Sequence, residues 1–350
     1  MSNILKQSKK SNIIGIHKNI SSCTIHHNSL KPSILENSDK KVICSCISCL
    51  DPLCIKFYPE ELKLSDERLN EFPADGNDLV CPVDAIYWEQ NSIIPSIDIE
   101  RCINCGICAN RCIIGAIYSN GENAVIHFSE NSVIHKPITE DVVSEHKNQI
   151  LVLSKCIHTG QYLLPNDRNI NMLYNKISSL KTDTQFPNLI VRNLFILLGN
   201  QCIIRRRGDI YFRIDAVLSD KKLVGIAEVE FKDSLESPRA ILDDIAVLSS
   251  RYNIEKNHIM PFIISLEFPN LRTEYWRVIK DINDVLKLKI HSLSLGALCI
   301  LLWHFNKVSI GNLDFYSDIE TPSIRKSIED ILHIGSLSQI KDVAILEAIK

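Results

Sequence analysis

The stretch that decides the reading is Arg101-Cys102-Ile103-Asn104-Cys105-Gly106-Ile107-Cys108-Ala109-Asn110-Arg111-Cys112. Its cysteines follow the spacing C-x2-C-x2-C-x3-C, in which the first three thiolates wrap one iron-sulfur cubane. The fourth cysteine of such a run serves a neighbouring cluster, so a second cysteine set is required. One is present, because nine of the 13 cysteines fall between Cys44 and Cys112.

Two endings repeat around this run. Cys81-Pro82-Val83-Asp84-Ala85-Ile86 and Cys112-Ile113-Ile114-Gly115-Ala116-Ile117 share the pattern Cys-x-x-x-Ala-Ile, with Ile113 where the first has Pro82. Residues 42–128 therefore resemble the bacterial-type two-cluster 4Fe-4S ferredoxin domain. The resemblance implies that Cys81 joins Cys102, Cys105 and Cys108 on one cluster. It also implies that Cys112 joins three of Cys44, Cys46, Cys49 and Cys54 on the other; Cys46, Cys49 and Cys54 are our assignment. The first half departs from the family pattern, with 26 residues, Ile55–Val80, between Cys54 and Cys81. Paired cysteines two apart also build zinc knuckles, but zinc calls for neither the third cysteine at the next step nor the two Ala-Ile endings. Cys23, Cys156, Cys202 and Cys299 read as ordinary thiols.

The rest of the chain is unlike this region. At 350 residues it is long for one domain. With 45% hydrophobic and 23% charged residues it reads as folded and globular rather than disordered. A net charge of -3 excludes a global field that would steer the chain to nucleic acid or an anionic membrane. The longest strongly apolar run, Leu295–Trp303, is too short to cross a bilayer, which needs about 20 residues. Met1–Lys10 lacks the apolar core of a secretory leader, so we expect a cytoplasmic protein without a membrane partner, where thiols stay reduced. Residues 1–41 carry seven lysines against Glu36 and Asp39 and read as a basic flexible tail.

Residues 129–185 read as a linker or extension. From Phe186 the pattern sharpens into a helix to about Gly199, then strands Gln201–Arg206 and Tyr211–Ser219 turning at Gly208-Asp209, and a strand Leu223–Phe231. A helix opening at Ser237-Pro238, a strand His258–Ser265, a helix Arg272–Leu286 and a strand Lys289–Leu293 follow. Residues 305–350 read as a helical extension. The fold class expected is α+β: a ferredoxin-like N-terminal domain, then an α/β domain over 186–304 with a central mixed sheet flanked by helices.

Alternation on the strand Gly225–Lys232 puts Glu228, Glu230 and Lys232 on one face, opposite Ala227, Val229 and Phe231. Asp215, at the end of the preceding hairpin, meets that face if the strands are neighbours. Carboxylates gathered from adjacent strands suit magnesium, a hard cation that takes a few anionic oxygens and keeps its water. Such a face is also, in many proteins, only solvated. The order of elements resembles the PD-(D/E)xK nuclease superfamily, which includes restriction and repair endonucleases, over about residues 186–295. The resemblance implies that Asp215 and Glu228 hold Mg2+, with Glu230 where the family has lysine and Lys232 able to supply the missing charge. Arg205, Arg206 and Arg207 could neutralise phosphate of DNA or RNA, or form a solvated turn. Three functions are compatible with this sequence: an iron-sulfur nuclease, an electron-transfer protein that meets a redox partner through a non-catalytic C-terminal docking domain, and a redox-sensing nucleic-acid binder.

Overall fold

The computed structural model of the chain describes residues 34–37, 40–43, 46, 52–128 without 91, 93, 113 and 114, 156–157, and 161–349 without 210–212, 221–222, 233, 305–306, 313–321 and 342–343. Strands β1 (Ile34–Asn37) and β2 (Lys40–Ile43) pair antiparallel, and a two-residue strand Cys156–Ile157 joins β1 on its other side. A boundary at residue 41 thus falls inside β2.

The region around the cysteine run is two copies of one small unit. Hairpin β3 (Ile86–Tyr87) and β4 (Ser96–Ile97) follows Cys81, and hairpin β5 (Ile117–Ser119) and β6 (Ala124–Ile126) follows Cys112. Between them, Ile107–Arg111 forms the short helix α1. The correspondence extends to the backbone: Asp84 and Gly115, at equivalent places, both take positive φ, 53° and 68°. In each copy the residue at positive φ donates its N–H to the cysteine carbonyl, Asp84 to Cys81 and Gly115 to Cys112.

Strand β7 (Cys156–Ile157) is followed by helix α2 (Asp167–Ser179) and helix α3 (Phe186–Leu197), and then by a five-stranded sheet. Asn166 caps α2 by accepting from the Asn169 N–H at 2.9 Å, and Pro187 sits in the first turn of α3, where no helical N–H is needed. The sheet runs, in spatial order, His291–Ser294, Ile259–Ser265, Leu223–Val229, Ala216–Asp220 and Gln201–Ile204. Strands β8 (Gln201–Ile204), β9 (Ala216–Asp220) and β10 (Leu223–Val229) form an antiparallel meander. Helix α4 (Ser237–Arg251) then leads to β11 (Ile259–Ser265), parallel to β10, and α5 (Glu274–Leu286) leads to β12 (His291–Ser294), parallel to β11. The near-continuous apolar runs of β10 and β11 suit strands covered on both faces. Helix α6 (Leu295–Trp303) is apolar all round and fully buried, as an internal helix must be.

The chain is therefore α+β with a mixed five-stranded sheet. Several boundaries differ from the sequence reading. Strand β10 stops at Val229: Glu230 still donates its N–H to Ile264, but the Lys232 N–H turns back to Glu230 Oε1 at 2.9 Å. Strand β8 ends at Ile204 and β9 begins at Ala216, immediately after Asp215. Helix α2 lies within the stretch read as linker. Beyond residue 321 the described residues hold one short helix, α7 (Arg325–Leu332); after it, Ala344 and Leu346 accept from the N–H groups of Phe268 and Ile324.

A single contiguous cluster of buried side chains runs from Phe57 and Ile107 through Ile190 and Phe262 to Ile345. The 26-residue segment Ile55–Val80 is part of the reason. Its ends pair, with Val80 donating to Ile55 and Phe57 donating to Asp78. Cys54 and Cys81 flank that pairing despite the length of chain between them. Its far side covers the edge strand β8: Asp75 donates to Ile204, Arg206 to Pro73, and Ser65 to Gln201 Oε1. An exposed strand edge is thereby closed.

Candidate functional site

Cys81, Cys102, Cys105 and Cys108 line one small cavity whose remaining walls are largely apolar, including Val83, Ile86, Ile97 and Ile107. Local backbone explains the convergence. Gly106, at φ 85°, starts α1 and turns Cys105 and Cys108 to the same side, while Cys81 enters from the other repeat. Three backbone amides aim at sulfur: Ala85 donates to Cys81 at 3.2 Å, Ala116 to Cys112 at 3.3 Å and Ala124 to Cys102 at 3.4 Å. The first two come from the alanines of the repeated Cys-x-x-x-Ala-Ile pattern. Burial, with the neighbouring thiols, pushes Cys105 and Cys108 well above the ordinary thiol range, and burial raises Cys81. Thiolates in this apolar cradle would need a cation beside them, and the donor set, the N–H groups aimed at sulfur and the apolar walls fit a cubane.

The other proposed set is described in part. Cys46 donates its N–H to His127, His127 donates to Ala116, and Ala116 donates to Cys112 sulfur. Leu53, next to Cys54, accepts from Arg111 Nε at 3.1 Å, one residue before Cys112. Cys46 and Cys54 are buried. Cys54 also faces Cys108 closely enough to disfavour its thiolate. Cys44, Cys49, Cys23 and His26-His27 lie outside the described residues. Cys202 and Cys299 are buried, Cys299 near enough to Cys105 to disfavour its thiolate, and burial pushes the Cys202 thiol up to about 12.

Three donors from outside the ferredoxin-like stretch grip the cysteine run. Trp303 Nε1 donates to the Cys105 carbonyl at 2.9 Å. Tyr162 donates its hydroxyl to Asn104 Oδ1 at 2.8 Å and its N–H to the Trp303 carbonyl. Lys176 donates to the Cys102 carbonyl at 2.9 Å. None of these three residues was a site candidate in the sequence, since nothing local ties positions 162, 176 or 303 to a cysteine.

A second site opens over the sheet. Asp215, Glu228, Glu230 and Lys232 all line one pocket, joined by Arg205, Asn188 and Asp244. Asp215 is buried and well supplied with donors: Oδ1 accepts from Asn188 at 3.1 Å and pairs with Arg205 at 3.3 Å, and Oδ2 accepts from the Val229 N–H at 3.1 Å. Burial, reinforced by Asp215, raises Glu228 to about 8. Burial likewise raises Asp244 to about 7, and its Oδ2 has no hydrogen-bond partner. Lys232 is exposed at the rim. Two of the three arginines have other acidic partners, Arg206 with Asp209 at 3.5 Å and Arg207 with Asp183 at 2.7 Å. Among the described residues no three His, Cys, Asp or Glu side chains are grouped tightly enough to hold a single metal ion. Asp215 and Glu228 would therefore offer magnesium two carboxylates, the rest of its shell being water, in keeping with its preference. Trp276 belongs to the core, stacked on Phe268 at 5.7 Å.

Over 74 residues, 21% of its length, the chain is 43% identical to an uncharacterized ferredoxin of Methanocaldococcus jannaschii. The match covers 46% of that protein, so the chain spans about half the length of this curated relative. No family profile and no solved structure matches the chain. The likeness supports a ferredoxin-type unit in the N-terminal part and an iron-sulfur protein. Among the described residues no helix is long and apolar enough to cross a membrane.

Proposed function

We propose that this chain is a 4Fe-4S protein in which Cys81, Cys102, Cys105 and Cys108 hold one cluster and Cys46, Cys49, Cys54 and Cys112 a second. The observation that carries this reading is the convergence of four thiols from two repeats on one apolar cavity. The third cysteine at the next three-residue step, Cys108, favours a polynuclear cluster over zinc. Such a cluster supplies one-electron chemistry, delivered to or taken from a redox partner protein. The test is the iron and acid-labile sulfide content of the full chain purified without oxygen. About eight irons per chain are expected for two cubanes; a colourless, zinc-loaded protein overturns the proposal.

A second activity is favoured by the pocket that Asp215 and Glu228 line together with Arg205 and Lys232. We propose that these two residues hold Mg2+ for phosphodiester hydrolysis of DNA or RNA, with Glu230 and Lys232 orienting the attacking water. The ion would acidify bound water and stabilise charge on phosphate oxygens. Magnesium-dependent cleavage of a nucleic acid that falls at least about 100-fold in Glu228→Ala is the expected result, by analogy with loss of other charge-stabilising groups. Cleavage that survives this substitution removes the reading.

A further inference from the structure

Lys176 is the one cation in the grip on the cysteine run, and it belongs to α2, outside the ferredoxin-like repeats. Its ammonium donates to the Cys102 carbonyl at 2.9 Å, to the Glu122 carbonyl at 2.7 Å and to Asn123 Oδ1 at 2.5 Å. The acceptors bracket one ligand. Cys102 is held directly through its carbonyl, and the turn containing Glu122 and Asn123 leads into Ala124, whose N–H donates to Cys102 sulfur. The lysine is half-buried. Its three acceptors leave the charge little freedom to move into solvent.

We propose that Lys176 is a tuning residue that raises the reduction potential of the cluster on Cys81, Cys102, Cys105 and Cys108. This rests on the reading of those cysteines as cluster ligands. Four thiolates around an oxidised core of charge 2+ carry a net charge of about -2, and one electron taken from a reductant makes it about -3. A fixed cation beside one ligand favours the more negative state. Charges near a protein surface are screened as by a dielectric of about 20, and Glu100 and Glu122, which also face the ammonium, offset part of the effect. The C-terminal part of the chain thus sets how readily the N-terminal cluster accepts an electron.

The experiment is a dithionite titration of the full, cluster-loaded chain, followed by the paramagnetic signal of the reduced cluster, with iron and sulfide measured on each sample. Relative to the native chain, Lys176→Met should shift the reduction equilibrium about tenfold toward the oxidised state, a potential about 59 mV lower for one electron. Lys176→Arg, which keeps the charge, should stay near the native value, and added salt should shrink the difference between Met and native. A fully loaded Lys176→Met with the native potential, or a higher one, overturns the proposal. Should that variant lose iron, Lys176→Gln keeps a donor to the carbonyls and provides the same comparison. Iron loss in both neutral variants but not in Lys176→Arg would assign the lysine to folding alone and also overturn it. A native chain without iron defeats the underlying reading instead, a result the metal analysis separates from the others.

Discussion

Replacing Gly106 with alanine tests the contact between the cysteine run and the C-terminal part of the chain. Gly106 lies between Cys105 and Ile107 at φ 85°. A side chain there pays about 1–2 kcal/mol for the left-handed conformation. The added Cβ would also lie 2.6 Å from Tyr162 Cδ1 and 3.1 Å from Trp303 Cδ1. Neither ring can swing aside without breaking a buried hydrogen bond, Tyr162 to Asn104 or Trp303 to the Cys105 carbonyl. Overpacking of this kind costs about 1–3 kcal/mol, so the sum is about 2–5 kcal/mol. The assay is anaerobic urea denaturation of the loaded protein, read by cluster absorbance and by tryptophan fluorescence. With a slope of about 3 kcal/mol per molar urea, the midpoint should fall by about 0.7–1.7 M, and both signals should move together. Gly76→Ala is the control, because an added Cβ there meets nothing within 4 Å. A Gly106→Ala protein with the native midpoint would refute the packing argument.

The cysteine sets should respond separately: Cys108→Ala should remove about half of the iron, about four atoms per chain, and Cys112→Ala the other half, each measured by metal analysis. Loss of all iron in both would mean that the clusters are not independent. The carboxylate pocket predicts a pH dependence with a definite sign. Glu228 and Asp244 have folded values of about 8 and about 7, raised from 4.5 and 3.8. Within that window the folded chain binds more protons than the unfolded one, so stability is highest at the acid end and falls as pH rises toward about 8. Thermal unfolding of the cation-free protein at several pH values checks this, and Glu228→Gln should flatten the slope. Added Mg2+ should restore more stability at the alkaline end, where the carboxylates are ionised.

The two halves of the chain were unequally legible. The run Cys102–Cys112 could be read at once because its ligands are close in sequence and their spacing is dictated by the object they surround. The relation of Cys54 to Cys81 could not: the pairing of Ile55 with Val80 that reunites them spans 26 residues with no regular periodicity. Strands β10 and β11 announced themselves as apolar runs, and the turn at Gly208 has its positive φ, 75°. Helix α2 was passed over because its residues are mostly polar, although Ile170, Leu173, Tyr174 and Ile177 recur at helical spacing and are all buried. Asp244 was missed for a related reason. It stands beside another acid, Asp243, and falls between Ile241 and Leu248 on the buried stripe of α4.

The same stripe arithmetic bears on whether the chain can be divided. A conventional ferredoxin unit would end near Phe128, but here the carbonyls of Cys102 and Cys105 are satisfied by Lys176 and Trp303, residues 74 and 198 positions away. Removing the C-terminal part would leave two carbonyls of the cysteine run without these partners and strip Ile107 of the α3 and α6 side chains packed beside α1. Helix α2 reaches further still: Lys176 sits at the cysteine run, while Asn171 and Asn175 of the same helix line a cavity shared with Glu230 and Lys232, which also belong to the carboxylate pocket. A displacement of α2 large enough to release Cys102 must therefore alter the wall beside Glu230, because a packed helix of 13 residues moves as one body. The cysteine cradle and the carboxylate pocket are thus two ends of one packed structure.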